Sequence, residues 1–180
     1  PRSANIILSG PGISSQTVTL NQEGATPVLN VSPSSENVSA TTGSVTFNVS
    51  SNIDWALSEN ADWFTAVKSN SSTLTVTYDE NISVIDRSAT ITLSGTSVNS
   101  QIITLNQTGA APVLTVNPES RTVSSVSGTS SFTVSSNIIW TFSENISWLT
   151  AIKSDNTTLT ISYEENISVD PRSANVTLSG

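Results

Sequence analysis

The chain has 180 residues, a net charge of −8 and only six Lys and Arg residues, and it contains no Cys, His or Met. Because nucleic-acid binding and membrane-surface helices both need a cationic face, these numbers predict no nucleic-acid partner and no membrane insertion. The lack of Cys and His removes thiolate nucleophiles, imidazole bases and the usual zinc ligands, and we expect no cofactor.

A shift of 85 residues aligns the chain with itself without a gap, with 40 identities between the 70 residues of 26–95 and those of 111–180. Such self-similarity is typical of tandem repeats. Arg2 aligns with Arg87, so residues 1–25 are interpreted as the C-terminal strands of a preceding repeat. Residues 26–110 then form one complete repeat, and residues 111–180 form a repeat that lacks its last strand.

The repeats are joined by short segments with turn-forming residues, Gly24–Pro27 and Gly109–Pro112. Linkers of so few residues that end in Pro are expected to hold neighbouring repeats semi-rigidly.

Within the complete repeat, apolar and polar residues alternate with a period of two, which indicates strands with one buried face. The alternation is clearest at 45–49, 74–78 and 89–93. Further strands are predicted at 28–32, 36–40, 53–59, 62–68 and 101–107. Seven or eight short strands without any helical stripe predict an all-β fold, a tandem array of immunoglobulin-like antiparallel β-sandwiches.

These residues resemble a known family, the BACON domain (Bacteroidetes-associated carbohydrate-binding, often N-terminal). The motifs that carry the resemblance are Leu29-x-Val31-Ser32-Pro33, Phe47-x-Val49-Ser50-Ser51-Asn52-x-x-Trp55, Trp63-Phe64-Thr65, Arg87-x-Ala89-x-Ile91 and Gln107. The resemblance implies an immunoglobulin-like sandwich in secreted or surface proteins, often attached to glycan-degrading enzymes. It carries no agreed catalytic or ligand-binding residues, so none is transferred to this chain.

The aromatic residues are the candidates for sugar stacking. Trp55 lies in an inward-facing alternation, and a tryptophan on a central strand usually fills the core of such a sandwich. Trp63 and its counterpart Trp148 are also favoured as core residues, but the pair Trp63-Phe64 interrupts the alternation. Phe64, and Phe142 in the second repeat, are therefore expected to be exposed rings. The ligand-binding candidates are Trp63, Phe64 and Trp148.

Carboxylates cluster after one strand of each repeat, at Asp79-Glu80 and Glu164-Glu165. They form a weak candidate calcium site, since hard cations prefer oxygen ligands; a solvated acidic loop is favoured. Neighbouring carboxylates on one strand end do not converge across a cleft as glycosidase pairs do, so no enzyme is predicted. The recurring Arg87 is expected to hold this loop through hydrogen bonds or an ion pair with Glu59 or Glu80.

Taken together, the sequence predicts a non-catalytic repeat of a large secreted or cell-surface bacterial protein that acts as a semi-rigid spacer, stalk or filament shaft. Its expected partners are neighbouring repeats of the same chain or other copies of itself. Head-to-tail strand complementation through residues 16–22 is one hypothesis for the incomplete repeat; the favoured interpretation is that the chain is part of a longer array. One alternative is a carbohydrate-binding module with a glycan as ligand. A second alternative is an adhesin that binds a host protein.

Overall fold

The computed structural model describes residues 1–180, and all of its regular elements are β-strands. It accordingly offers no helix that could cross a membrane. The strands are β1 (Arg2–Leu8), β2 (Gln16–Gln22), β3 (Leu29–Ser32), β4 (Ser35–Val38), β5 (Gly43–Ser51), β6 (Trp55–Glu59), β7 (Phe64–Asn70), β8 (Thr73–Tyr78), β9 (Arg87–Gly95), β10 (Gln101–Gln107), β11 (Leu114–Asn117), β12 (Gly128–Ser136), β13 (Thr141–Ser143), β14 (Leu149–Lys153), β15 (Thr158–Tyr163) and β16 (Thr177–Ser179).

Residues 26–110, the first unit, form a sandwich of two four-stranded sheets. One sheet has the order β3-β5-β8-β7 and the other the order β4-β10-β9-β6. All neighbouring strands are antiparallel except β4 and β10, which run parallel. The predicted all-β, immunoglobulin-like fold is confirmed.

The core of the first unit lies between these two sheets and contains 15 buried residues. The predicted alternation accounts for it, because side chains two residues apart on a strand point to the same face. The inward positions on β5, β8, β9 and β10 are the best buried, with Phe47, Val76, Ile91 and Leu105 all at 1% exposure or less. Burial of this apolar surface is the main source of the unit's stability.

Residues 111–180, the second unit, keep only one complete sheet. The sheet β11-β12-β15-β14 repeats the first sheet of the first unit, whereas the opposite layer consists of the pair β13-β16. No strand occupies the positions that β4 and β10 hold in the first unit. The buried core shrinks to five residues, Val134, Trp140, Leu149, Ala151 and Leu159.

Strands β1 and β2 form a separate antiparallel hairpin at the N-terminus. Its register, from Arg2 opposite Gln22 to Leu8 opposite Gln16, matches that of β9 and β10, from Arg87 opposite Gln107 onward. Every residue of the two strands is exposed.

The difference between the two cores predicts unequal responses to the same substitution. Phe47 is 1% exposed, whereas its counterpart Phe132 is only half-buried. We expect Phe47→Ala to lower the free energy of unfolding of the first unit by about 3–5 kcal/mol, and Phe132→Ala to cost the second unit about half as much. Hydrogen exchange measured by mass spectrometry, with separate peptides from β5 and β12, checks this. Equal losses in both units would contradict the described difference in packing.

Candidate functional site: capped tryptophans, the linker and an open groove

Trp55 and Trp140 fill the two cores, as the sequence predicts, with 5% and 2% exposure. The buried indole N–H of Trp55 donates a hydrogen bond to the carbonyl of Ser71 at 3.1 Å, and that of Trp140 donates to the carbonyl of Asn156 at 2.8 Å. The polar N–H group of each indole is thus hydrogen bonded, and the apolar part of each ring is buried in the core.

A lysine covers each of these rings. Lys68 Nζ lies 4.4 Å from the ring centroid of Trp55, and Lys153 Nζ lies 4.3 Å from that of Trp140. Each ammonium group also donates a hydrogen bond to the backbone carbonyl of the tryptophan it covers, at 3.1 and 3.0 Å. The one lysine of each unit is therefore engaged in a cation–π contact with the core tryptophan.

Trp63 and Trp148 are half-buried and carry an arginine over one face of the ring. The guanidinium carbon of Arg87 lies 4.4 Å from the ring centroid of Trp63, and that of Arg172 lies 4.2 Å from that of Trp148. This contact occupies one face of each ring. The ligand-binding role of Trp63 and Trp148 stays a prediction.

Arg87 also binds the loop after β8 and the closing strand β10. Its Nη2 donates to the carbonyls of Asp79 and Glu80 at 2.8 and 3.1 Å, and its Nε donates to Gln107 Oε1 at 2.8 Å. Of the two expected roles, hydrogen bonding to the loop is the one observed. The carboxylate of Glu59 instead accepts a hydrogen bond from the backbone N–H of Ala66 at 3.0 Å.

The expectation that Phe64 is an exposed ring is wrong. Phe64 is the first residue of β7 and points into the core with 4% exposure, in an edge-on contact with Trp63 at 5.1 Å between centroids. The alternation breaks because Trp63 precedes the strand, which gives Phe64 the inward position. Phe142, the other ring expected outside, is half-buried against the second core. A binding role for Phe64 would need the ring to leave the core.

The candidate calcium residues, Asp79, Glu80, Glu164 and Glu165, do not meet in a shared site. The structure brings together no group of three or more Asp, Glu, His or Cys residues that could hold a metal ion. Asp79 and Glu80 contribute their backbone carbonyls to Arg87 rather than carboxylates to a cluster. The arrangement therefore gives the calcium hypothesis no support.

Asp155 is the acidic residue whose pKa departs clearly from its ordinary value, and the cause is hydrogen bonding within a turn. Its carboxylate accepts hydrogen bonds from the backbone N–H of Thr157 at 2.7 Å and from the Thr157 hydroxyl at 2.8 Å. The backbone N–H of Thr157, followed by the hydroxyl, lowers the pKa of Asp155 because both bonds favour the charged form. Asn70 fills the same place in the first unit, so a carboxylate is not required there.

Sequence reasoning missed the way in which the linker between the units is held. On the first unit, the backbone N–H of Gly109 donates to Asp86 Oδ1 at 2.8 Å, and that of Ala110 donates to the carbonyl of Ser83 at 2.7 Å. A Cβ at Gly109 would overlap the backbone of Val84, which is why this close approach needs glycine.

On the second unit, the side chain of Asn137 holds the other end of the linker. Its Nδ2 donates to the carbonyl of Ala111 at 3.0 Å, and its Oδ1 accepts from the backbone N–H of Val113 at 2.8 Å. Asn52 makes the same pair of bonds to Thr26 and Val28 before the first unit. The repeated Ser-Ser-Asn-Ile motif was the available signal, but its role required knowing which backbone lay opposite.

The second unit contains an open groove of about 720 Å³ where the first unit holds β10. Its floor is apolar, with Phe132, Ile161 and Val176, and Arg172 and Trp148 stand at one end. The counterparts of these floor residues, Phe47, Val76 and Ile91, are at most 1% exposed in the first unit. The groove is thus the place of a sandwich strand rather than a pocket with convergent polar groups.

Comparison with known protein families gives a match to the viral BACON domain over residues 28–110 and again over residues 113–180. No curated protein matches the chain.

Several solved structures are similar to the chain at low identity. A GH5 xyloglucanase of Bacteroides ovatus has a TM-score of 0.42 and 19% identity over 47% of this chain, which spans only 19% of that enzyme. A protein of Bacteroides thetaiotaomicron has a TM-score of 0.36 and 17% identity, with 57% of this chain and 96% of that protein covered. The titin I-band fragment I67–I69 has a TM-score of 0.35 and 11% identity, with 87% and 65% covered.

Two segments that together span most of the chain match one family, at the repeat spacing seen in the sequence, and the chain therefore belongs to the viral BACON domain family as a tandem pair of its domains.

Proposed function

We propose that this chain is a non-catalytic spacer, a semi-rigid part of a repeat array in a protein that works outside a cell, either secreted or on a surface. The observation that carries the proposal is the linker, which is bound to both units. The family's description as viral extends the proposed setting to the surface of a virus particle.

The linker leaves few backbone bonds free to rotate between the units. Ala110 is hydrogen bonded to the first unit through its N–H, and Ala111 is hydrogen bonded to the second unit through its carbonyl. The next residue, Pro112, has a fixed φ angle. Val113 is then bound through both its N–H and its carbonyl. A joint of this kind transmits orientation from one unit to the next, as a spacer requires.

The surface chemistry supports the same function. The tryptophan faces are occupied by Lys and Arg, so they contribute to folding rather than to recognition. A net charge of −8 favours solubility and discourages non-specific contacts. A repeat array with such a surface acts through length and spacing, because each unit contacts only its neighbours.

The first prediction concerns the rigidity of the joint. Asn137→Ala removes both side-chain hydrogen bonds to the linker, and we expect the two units to reorient independently. Residual dipolar couplings measured by NMR should fit one alignment tensor for both units in the wild type and two different tensors in the variant.

Asn52→Ala is the matched control, because it removes the same pair of bonds from Thr26 and Val28 and does not touch the linker at 109–113. This control should keep one common tensor. Two independent tensors in the wild type would refute the semi-rigid spacer.

The second prediction separates the spacer from the carbohydrate-binding alternative. Trp63→Ala should lower the free energy of unfolding of the first unit by about 2–3 kcal/mol, since it removes ring burial and the contact with Arg87. Val67→Ala, at a residue 54% exposed on β7, should stay within about 0.5 kcal/mol of the wild type.

On a glycan array the wild type should give no signal. Glycan binding by the wild type that disappears in Trp63→Ala, with the fold retained, would establish the carbohydrate-binding module instead. Binding of the wild type to a host-cell protein extract, together with no signal on the glycan array, would favour the adhesin.

A further inference from the structure

Two strands of the first sandwich border a seam across which the two sheets share no main-chain hydrogen-bond ladder. Strand β7 is the outer strand of one sheet, and β6 is the outer strand of the other. The two strands contact each other, and their unpaired sides form what we call the β6–β7 seam. An unpaired strand edge is a template on which a strand of another molecule can pair.

The sequence of β7 favours such pairing. Residues 63–67, Trp-Phe-Thr-Ala-Val, contain no charged residue, no Pro and no Gly, and neither do their counterparts at 148–152, Trp-Leu-Thr-Ala-Ile. Short uncharged segments rich in aromatic and β-branched residues pair readily with copies of themselves. Val67 and Ile152 lie on the outer faces of their sheets, and each is 54% exposed. The edge of β7 therefore needs protection in both units.

A glutamate at the end of β6 occupies the edge of β7. In the first unit, Glu59 Oε2 accepts a hydrogen bond from the backbone N–H of Ala66 at 3.0 Å. In the second unit, Glu144 Oε2 accepts from the backbone N–H of Ala151 at 2.9 Å. The carboxylate thus stands where the carbonyl of an added strand would bind, and it has no N–H to offer in return.

A lysine on β7 occupies the edge of β6 in the same way. Lys68 Nζ donates to the backbone carbonyl of Trp55 at 3.1 Å, and Lys153 Nζ donates to that of Trp140 at 3.0 Å. The cation–π contact with the same tryptophan holds each ammonium group in this position. An ammonium group has no acceptor, so an added strand finds no partner there for its N–H groups.

We propose that Glu59 and Lys68, and their counterparts in the second unit, keep the β6–β7 seam closed to a strand of a second copy of this chain. The strand that they exclude is β7 of that copy. Because the N–H of Ala66 points away from β8, antiparallel pairing would place Ala66 of one copy opposite Ala66 of the other. The two four-stranded sheets would then join into one sheet of eight strands.

The excluded contact would use the same surface on both copies, so it would produce a two-fold dimer. Both units present this edge, and simultaneous pairing at two edges would strengthen a side-by-side contact beyond that of one. The inference goes beyond the spacer role, because the linker at 109–113 contributes to neither edge. Failure of either proposal leaves the other intact.

Three variants of the full chain that each remove one negative charge test the proposal. Glu59→Ala removes the acceptor of the Ala66 N–H, whereas Glu59→Gln keeps an acceptor oxygen. Asp62→Ala removes an exposed carboxylate close to the seam and leaves this bond in place.

In sedimentation velocity, Glu59→Ala should dimerise at a concentration at least about tenfold lower than the wild type, because one main-chain edge is set free. Glu59→Gln and Asp62→Ala should match the wild type. A Glu59→Ala variant that associates no more than the wild type would show that the bond to Ala66 only stabilises the turn, and would overturn the proposal. Equal association of Asp62→Ala would assign the effect to net charge and would also overturn it.

A second substitution separates edge pairing from association through unfolding. In Glu59→Ala/Val67→Lys, two added ammonium groups would meet across the β7 pair, so association should return to the level of the wild type. Glu59→Ala/Thr46→Lys is the matched control, because Thr46 is exposed in the same cross-strand row but two strands away from the edge. This control should associate like Glu59→Ala. Undiminished association of the Val67→Lys double variant would exclude β7 as the contact.

The register is tested by disulfide formation between copies, since the chain contains no Cys. With Ala66 opposite Ala66, Thr65 of one copy lies opposite Val67 of the other, at a distance that a disulfide spans. In the Glu59→Ala background, a mixture of Thr65→Cys and Val67→Cys proteins should form a one-to-one disulfide dimer. The same mixture with Glu59 present should form at least about tenfold less, and equal yields would contradict the role of Glu59.

Discussion

The structure of the first unit depends on one arginine that binds three parts of the sandwich at once. Arg87 lies over the ring of Trp63, holds the loop after β8 through two carbonyls, and binds Gln107 at the end of the closing strand. Gln107 then extends the network to the carbonyls of Ser39 and Ala40. A buried amide with all its partners present stabilises one arrangement strongly, because loss of any partner leaves a desolvated polar group.

The contacts that stabilise the unit also occupy its tryptophan rings. The arginine covers the tryptophan that stands nearest to the surface, and a lysine covers the tryptophan in the core. The aromatic rings that would make a sugar-binding surface are thereby part of the folded scaffold. Under the proposed function, the unit contributes its length and its joint to the next unit.

The 85-residue repeat and the period-two alternation were sufficient to predict the strands, the sandwich and the burial of Trp55 from the sequence. Phe64 was mispredicted because the position at which a strand begins decides which residue faces inward, and that position depends on tertiary packing. The role of Asn137 was not predicted because its partners are backbone atoms of the linker. Which backbone lies opposite a side chain cannot be read from the residue types in a sequence. The two units also differ in core size although 40 of 70 aligned residues are identical, since burial depends on strands outside the aligned segment.

Hydrogen exchange in Arg87→Lys tests most directly whether this arginine holds the closing strand. Lysine keeps the charge but cannot bind Gln107 and the two loop carbonyls together, so the amides of Gln101–Gln107 and of residues 79–87 should exchange at least about tenfold faster than in the wild type. Arg121→Lys, at a residue whose guanidinium lies 5.8 Å from the Phe132 ring in the second unit, should leave these amides unchanged. Unaltered protection of β10 in Arg87→Lys would contradict the central role of the arginine.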